Sequence, residues 1–121
     1  MSILRVKPRL SYDDDALRIE RRTGRFSRTT IAIDDVIQVI AFARGVVGNA
    51  MLFVAFKGSA GKQLNVFERD IDFEDVMSQL ASQFPGLERW REVLAGEPFP
   101  IKFMTLWHRG HRREVGKSEL H

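Results

Sequence analysis

Three groups of side chains in this chain have types and spacing that could do chemistry. His108 and His111 form an H-x-x-H pair. Two imidazoles three residues apart would share a metal ion if the segment were helical. Gly110 stands between them, and Arg109, Arg112 and Arg113 would repel a cation. The chain has no cysteine and no carboxylate cluster beside these histidines, so the ligand set stays incomplete and no metal site is expected. The second group, Glu68, Asp70, Asp72, Glu74 and Asp75, is dense enough for acid–base work or a hard cation. Its spacing is not that of an EF-hand loop. Asp72, Glu74 and Asp75 also stand where a helix N-terminus favours a capping residue and first-turn acids. The third group, Arg18, Arg22, Arg25 and Arg28, falls within a single hairpin and is the candidate anion-binding set. The competing reading is a solvated face on which Glu20 pairs with Arg28 across strands.

Nucleophilic and nucleotide chemistry find less support. No G-x-S-x-G elbow occurs, and all three histidines fall at or after position 108. Gly58-Ser59-Ala60-Gly61-Lys62 lacks the Walker spacing and precedes a strand-like segment rather than a helix. The expectation is a protein that is not an enzyme and uses no cofactor. A set of aromatic residues, Trp90, Phe99, Phe103 and Trp107, lies late in the chain. Where such residues are not core, they mark a protein interface.

The elements that must position these groups follow from hydrophobic periodicity. Residues 36–56 carry a single charge, Arg44. On length this stretch could span a bilayer, which takes ~20 apolar residues. An arginine at a helix midpoint costs about 2.5–3.5 kcal/mol on insertion scales. Gln38, Gly45, Gly48 and Asn49 further divide the stretch, which therefore reads as two buried strands, 36–44 and 50–57, around a turn at 45–49. Val36, Val39, Ile40 and Ala43 also fit a helical stripe, and β-branched density decides for strand. Upstream, residues 1–11 form either an irregular lead-in or an edge strand, and Asp13-Asp14-Asp15 a turn. Residues 16–22 and 26–33 alternate as a hairpin about Thr23-Gly24-Arg25, a register that sets Leu17 opposite Ile31. Downstream, Gly58-Ser59-Ala60-Gly61 connects strand 50–57 to strand 62–67.

The period then changes. Phe73, Val76, Met77, Leu80 and Phe84 form one apolar helical stripe that Pro85-Gly86 terminates. A shorter helix fits 87–95, and 101–107 reads as an edge strand or a segment packed on the body. From His108 onward the chain is a polar tail expected to fray.

At 121 residues the chain is expected to be one domain, with a core over about 16–109 and a flexible polar tail at 110–121. The absence of cysteine fits a reducing compartment. The N-terminus has no apolar run of signal-peptide length, so a cytoplasmic location is expected. Net charge is +3, unevenly spread: residues 1–33 hold eight Lys/Arg against four Asp/Glu, residues 34–100 six against ten, and residues 101–121 five against two. Basic ends around an acidic middle suit attraction within one fold or between copies better than a dedicated polyanion surface.

The order of about five strands followed by a C-terminal helix resembles a pleckstrin-homology-like (PH-like) half-barrel. The local patterns Thr30-Ile31-Ala32-Ile33-Asp34-Asp35-Val36 and Asn65-Val66-Phe67-Glu68 carry the resemblance. So do Phe84-Pro85-Gly86-Leu87, Trp90, Pro98-Phe99 and Leu106-Trp107-His108-Arg109, which are similar to those of small uncharacterised bacterial proteins with this topology. The resemblance implies an α+β fold, an antiparallel PH-like half-barrel capped by one or two C-terminal helices. It also implies a binding module rather than an enzyme. Its partner would be another protein or a second copy, as for an adaptor or an inhibitor; the alternative is an anionic lipid surface or nucleic acid at the basic hairpin.

Overall fold

The computed structural model describes residues 7–46, 49–94 and 101–110. Among these residues, seven antiparallel strands form two sheets that do not close into a barrel, accompanied by two short helices in an α+β arrangement. The first sheet contains β1 (Arg9–Asp13), β2 (Arg18–Arg22) and β3 (Arg28–Ala32) in that order. The second contains β4 (Val36–Val46), β5 (Asn49–Gly58), β6 (Gln63–Phe67) and β7 (Ile101–His108), in the order β6-β5-β4-β7. Helix α1 (Phe73–Leu80) follows β6, and α2 (Trp90–Leu94) precedes β7. The two strands beyond the expected five are the outermost ones. Residues 9–13 form an edge strand on β2, and residues 101–108 pair within the chain, against β4. The helices therefore do not end the fold.

Strand rather than helix at 36–46 follows from what lies on each side of it. Val39, Ala41 and Ala43 point to one face and are buried, and β5 returns Leu52, Val54 and Phe56 to the same face. The first sheet adds Leu10, Ile19 and Ile31, and α1 adds Phe73, Val76, Met77 and Leu80, which close the core. Phe84, Leu87, Trp90 and Val93 extend it toward Leu106 of β7. Burying this apolar surface, at roughly 25 cal/mol per Å², is what holds the two sheets together.

Four local expectations change. The first hairpin turns through five residues, Thr23 to Ser27, closed by a Thr23 N–H bond to the Ser27 carbonyl at 2.9 Å. Ile19 therefore faces Ile31, and Arg22 faces Arg28. The core face is the expected one, because the register slips by two residues and side-chain parity is preserved. Leu17 leaves the strand, taking a left-handed φ of 52°.

Asp72 is no side-chain cap either. With φ at 70°, its carboxylate turns away from the helix and pairs with Arg9 at 2.7 Å. The chain beyond β7 does not fray at once. Arg109 donates to the Val36 carbonyl at 2.6 Å and the Asp34 carbonyl at 2.7 Å, and its N–H bonds the Ile37 carbonyl. Finally, 36–44 and 50–57 are not buried on both faces. The side turned away from the core carries Phe42, Phe53 and Met51, of which Met51 is exposed and the phenylalanines are half-buried. Continuous hydrophobicity reported a second apolar face, not a second covering layer.

Candidate functional site

The second sheet arranges the outward side chains of its four strands in rows, because register and pleat together fix which residues lie side by side. Phe42 faces Phe53 on β5 and Phe103 on β7, and Phe53 faces Phe67 on β6. Four phenylalanines thus cross all four strands in one row on the side away from the core. Phe42 and Phe53 are stacked, with centroids 4.9 Å apart and planes 16° from parallel. Phe103 and Phe67 extend the row at 5.8 and 5.4 Å. At the Phe67 end the Arg21 guanidinium lies 4.8 Å from the ring centroid, a cation–π contact. The Phe103 end is open, with that residue 66% exposed.

The rows on either side define the rest of the face. One contains Arg44 opposite Met51. The other sets Ile40 between Ala55 and Thr105, with Asn65 beyond Ala55. Ile40 and Ala55 are buried yet lie outside the main core, sheltered by this second apolar cluster. One row further, Lys57 stands between Gln38 and Gln63. Among the described residues the strand positions of this face carry no acid, and neither Arg44 nor Lys57 makes an ion pair. At its edge Glu68 and the Arg21-paired Asp70 line a recess with Met51 and Phe67.

The candidate anion-binding arginines separate into two groups. Arg22, Arg25 and Arg28 line a recess of about 250 Å³ at the tip of the β2–β3 hairpin, together with Ser27 and Phe26. Phe26 is 92% exposed, and the five-residue turn makes it a loop residue rather than the start of a strand. Arg18 lies at the opposite end of β2, across from Asp13, so the fold does not bring it to this recess. Glu20 approaches both Arg22, at 3.4 Å, and Arg28, at 3.8 Å, and so offsets part of the repulsion between these facing cations. Asp13, at the far turn, accepts the N–H groups of Asp15 and Ala16 and holds that turn closed.

Of the candidate interface aromatics among the described residues, only Phe103 is exposed. Trp90 is 3% exposed and packs edge-on against Phe73 at 5.0 Å, so in this fold it is core and offers a partner nothing. Trp107 is half-buried, edge-on to Phe84 at 4.9 Å, because a bulge in β7 returns it to the core side. Phe99 lies outside the described residues, as do His111 and the tail from 111 onward.

Three of the five carboxylates, Asp70, Asp72 and Glu74, form ion pairs between elements, and Glu74 and Asp75 stand in the first turn of α1. Asp70, with a side chain 2% exposed, accepts two bonds from Arg21 at 2.7 and 3.0 Å and the Phe67 N–H at 2.9 Å. Asp72 pairs with Arg9, and Glu74 approaches Arg91 at 3.6 Å. No described helix is long and apolar enough to cross a membrane.

Neither the phenylalanine row nor Phe26 was singled out from the sequence. The predicted turns miss the row by one residue in each hairpin. Phe42 stands three positions before 45–49 and Phe53 four after it, and Phe53 stands five before 58–61 and Phe67 six after it, whereas the strands pair Phe42 with Phe53 and Phe53 with Phe67. Comparison with protein-family models, with curated protein sequences and with solved structures returned no match.

Proposed function

We propose that this chain is a non-catalytic interaction module and that it docks another protein through the outer face of the second sheet. The observation that carries this reading is the row of four phenylalanines on the solvent side of an antiparallel sheet. Such a face is ordinarily polar where one side of the sheet meets water. A contiguous apolar patch with a polar rim is the usual mark of an interaction site. The PH-like resemblance of the sequence supports the same reading, since domains of that kind bind rather than catalyse, and two antiparallel sheets with a helix packed on them are compatible with it. Fold alone would not carry the function.

The test is site-specific crosslinking in native extract. A photoreactive phenylalanine analogue at Phe103 should yield one discrete protein adduct, and the same analogue at the exposed Ser78 of α1 should not. Identical, diffuse labelling from both positions would overturn the reading.

The recess at the first hairpin favours a second reading, docking to an anionic surface. Three arginines surround an exposed phenylalanine there, and each basic residue near an anionic surface contributes about 1 kcal/mol. On this reading Arg22→Glu with Arg25→Glu reduces sedimentation with phosphatidylserine vesicles at least tenfold, and the effect fades as salt rises. Unchanged sedimentation rules it out.

A further inference from the structure

We infer that the occupant of the aromatic face is an amphipathic helix of a partner protein, with an apolar stripe and acidic flanks. This rests on the reading of that face as a docking surface and specifies what it takes. Charge is the first argument. Arg44 lies one row to one side of the phenylalanines and Lys57 two rows to the other, neither is ion-paired, and no described strand position of the face is acidic, the acids Glu68 and Asp70 lying in a recess at its Phe67 edge where Arg21 pairs Asp70. A second copy presenting the same face would bring cations against cations, whereas acidic flanks on a partner would complement both sides of the row.

Ring geometry is the second argument. Nucleobases bind aromatic residues by stacking on ring faces. Here the faces of Phe42 and Phe53 are turned toward each other, 4.9 Å apart. The row therefore offers solvent mainly ring edges, a corrugated surface that suits aliphatic side chains. Only Phe103, at the open end, has a ring exposed enough to stack.

Dimensions are the third. Three strand spacings make the row about 14 Å long. A helix lying along it places residues i, i+3 or i+4, and i+7 within about 10–11 Å, and its diameter of about 10–12 Å leaves flanking residues within reach of a long basic side chain on either side. The apolar positions would seat over Phe103, Phe42 and Phe53, and the acids would meet Arg44 and Lys57.

The probes are fluorescently labelled 14-residue peptides with leucines at i, i+3, i+4 and i+7. One carries glutamates on its other positions and its counterpart carries lysines. A thymidine 15-mer and phosphatidylserine vesicles complete the set, with binding to the full chain read by anisotropy or sedimentation. The glutamate peptide should bind at least tenfold tighter than the lysine peptide. Arg44→Glu with Lys57→Glu should invert that preference, and Phe103→Ser, at the exposed end of the row, should weaken the glutamate peptide at least fivefold. Phe42→Ser should weaken it further; because Phe42 is half-buried, its circular dichroism is compared with that of the parent, and Phe103→Ser decides the matter if that variant does not fold.

Equal binding of the two peptides overturns the inference, as does tighter binding of the 15-mer or vesicles that Phe103→Ser abolishes. If neither peptide binds while Phe103 still crosslinks a single cell protein, the acidic helix is wrong and the docking face stands. If crosslinking fails as well, both fall.

Discussion

Asp70→Ala is expected to lower the free energy of unfolding by about 3 kcal/mol, the cost of breaking a buried ion pair from one side. Three donors converge on this carboxylate: two from Arg21 on β2, and the Phe67 N–H at the end of β6. Asp70 is also the one charged residue among the described residues of the core. Removing it leaves the Arg21 guanidinium, only 18% exposed, and a backbone N–H without their acceptor. Asp70→Asn keeps an oxygen for one donor and loses the charge, so its cost should fall between those of parent and alanine. Replacing both partners, as Arg21→Met with Asp70→Leu, should recover part of the loss, because an apolar pair needs no compensation for desolvation. Recovery stays incomplete because the Phe67 N–H still lacks its acceptor.

The measurement is urea unfolding, with the midpoint shifting and the slope unchanged. A loss below 1 kcal/mol for Asp70→Ala would show that water replaces the carboxylate, and that the pair does not tie the first sheet to the second. The same substitution has a functional reading. Arg21 is held over Phe67 by Asp70, so its release would loosen one end of the phenylalanine row.

How far the sequence reveals such arrangements depends on the range of the interactions. The long β4–β5 hairpin, the β5–β6 connection and helix α1 were legible, because each rests on local periodicity and turn chemistry. Ile19 and Ile31 were placed on the correct face while their register was not. A five-residue and a three-residue turn satisfy the same parity, and only the Thr23–Ser27 bonds distinguish them. Asp72 reads as a helix cap because capping is the local use of such a residue, and Glu74 and Asp75 do stand in the first turn of α1 as expected. The partner of Asp72 is Arg9 and that of Asp70 is Arg21, 63 and 49 positions away and beyond any spacing argument.

The phenylalanine row lies between these extremes. Three of its members lie on strands that the sequence places correctly, but the predicted turns leave each pair one residue out of register, which sends its side chains to opposite faces. Phe103 joins only through the β4–β7 pairing, which spans some sixty residues and leaves no local trace. Hydrophobicity by itself misled in one respect: it cannot say whether an apolar face is covered by the chain's own core or left for a partner. Trp90 and Phe103 are both large aromatic residues on short elements, and only the packing of the surrounding segments makes one core and the other surface.

Phe84→Ala is expected to cost about 4 kcal/mol, at the large end for a core substitution, because several layers meet at this ring. Phe84 is 1% exposed and lies on the connection between α1 and α2. It meets Phe56 in the centre of the second sheet at 5.8 Å and Trp107 on β7 at 4.9 Å, so truncation opens a cavity with an aromatic wall on each side. The chain just beyond it is poorly able to collapse into that space. Gly86 has a φ of 99° and would set a β-carbon 2.8 Å from the Leu106 carbonyl, which shows how closely this connection already runs beside β7. Arg89 then donates to the Thr105 and Leu106 carbonyls at 3.2 Å, fixing the same strand.

Phe84→Leu, which keeps much of the volume, should cost roughly half as much. Trp107 supplies an independent readout. With its edge-on partner gone, its near-ultraviolet circular dichroism should weaken in Phe84→Ala before the strands melt. Stability loss with an unchanged tryptophan signal would mean that Phe84 acts through the helices alone. Loss of both would tie the α1–α2 connection to β7, and through β7 to the exposed Phe103 at the open end of the phenylalanine row.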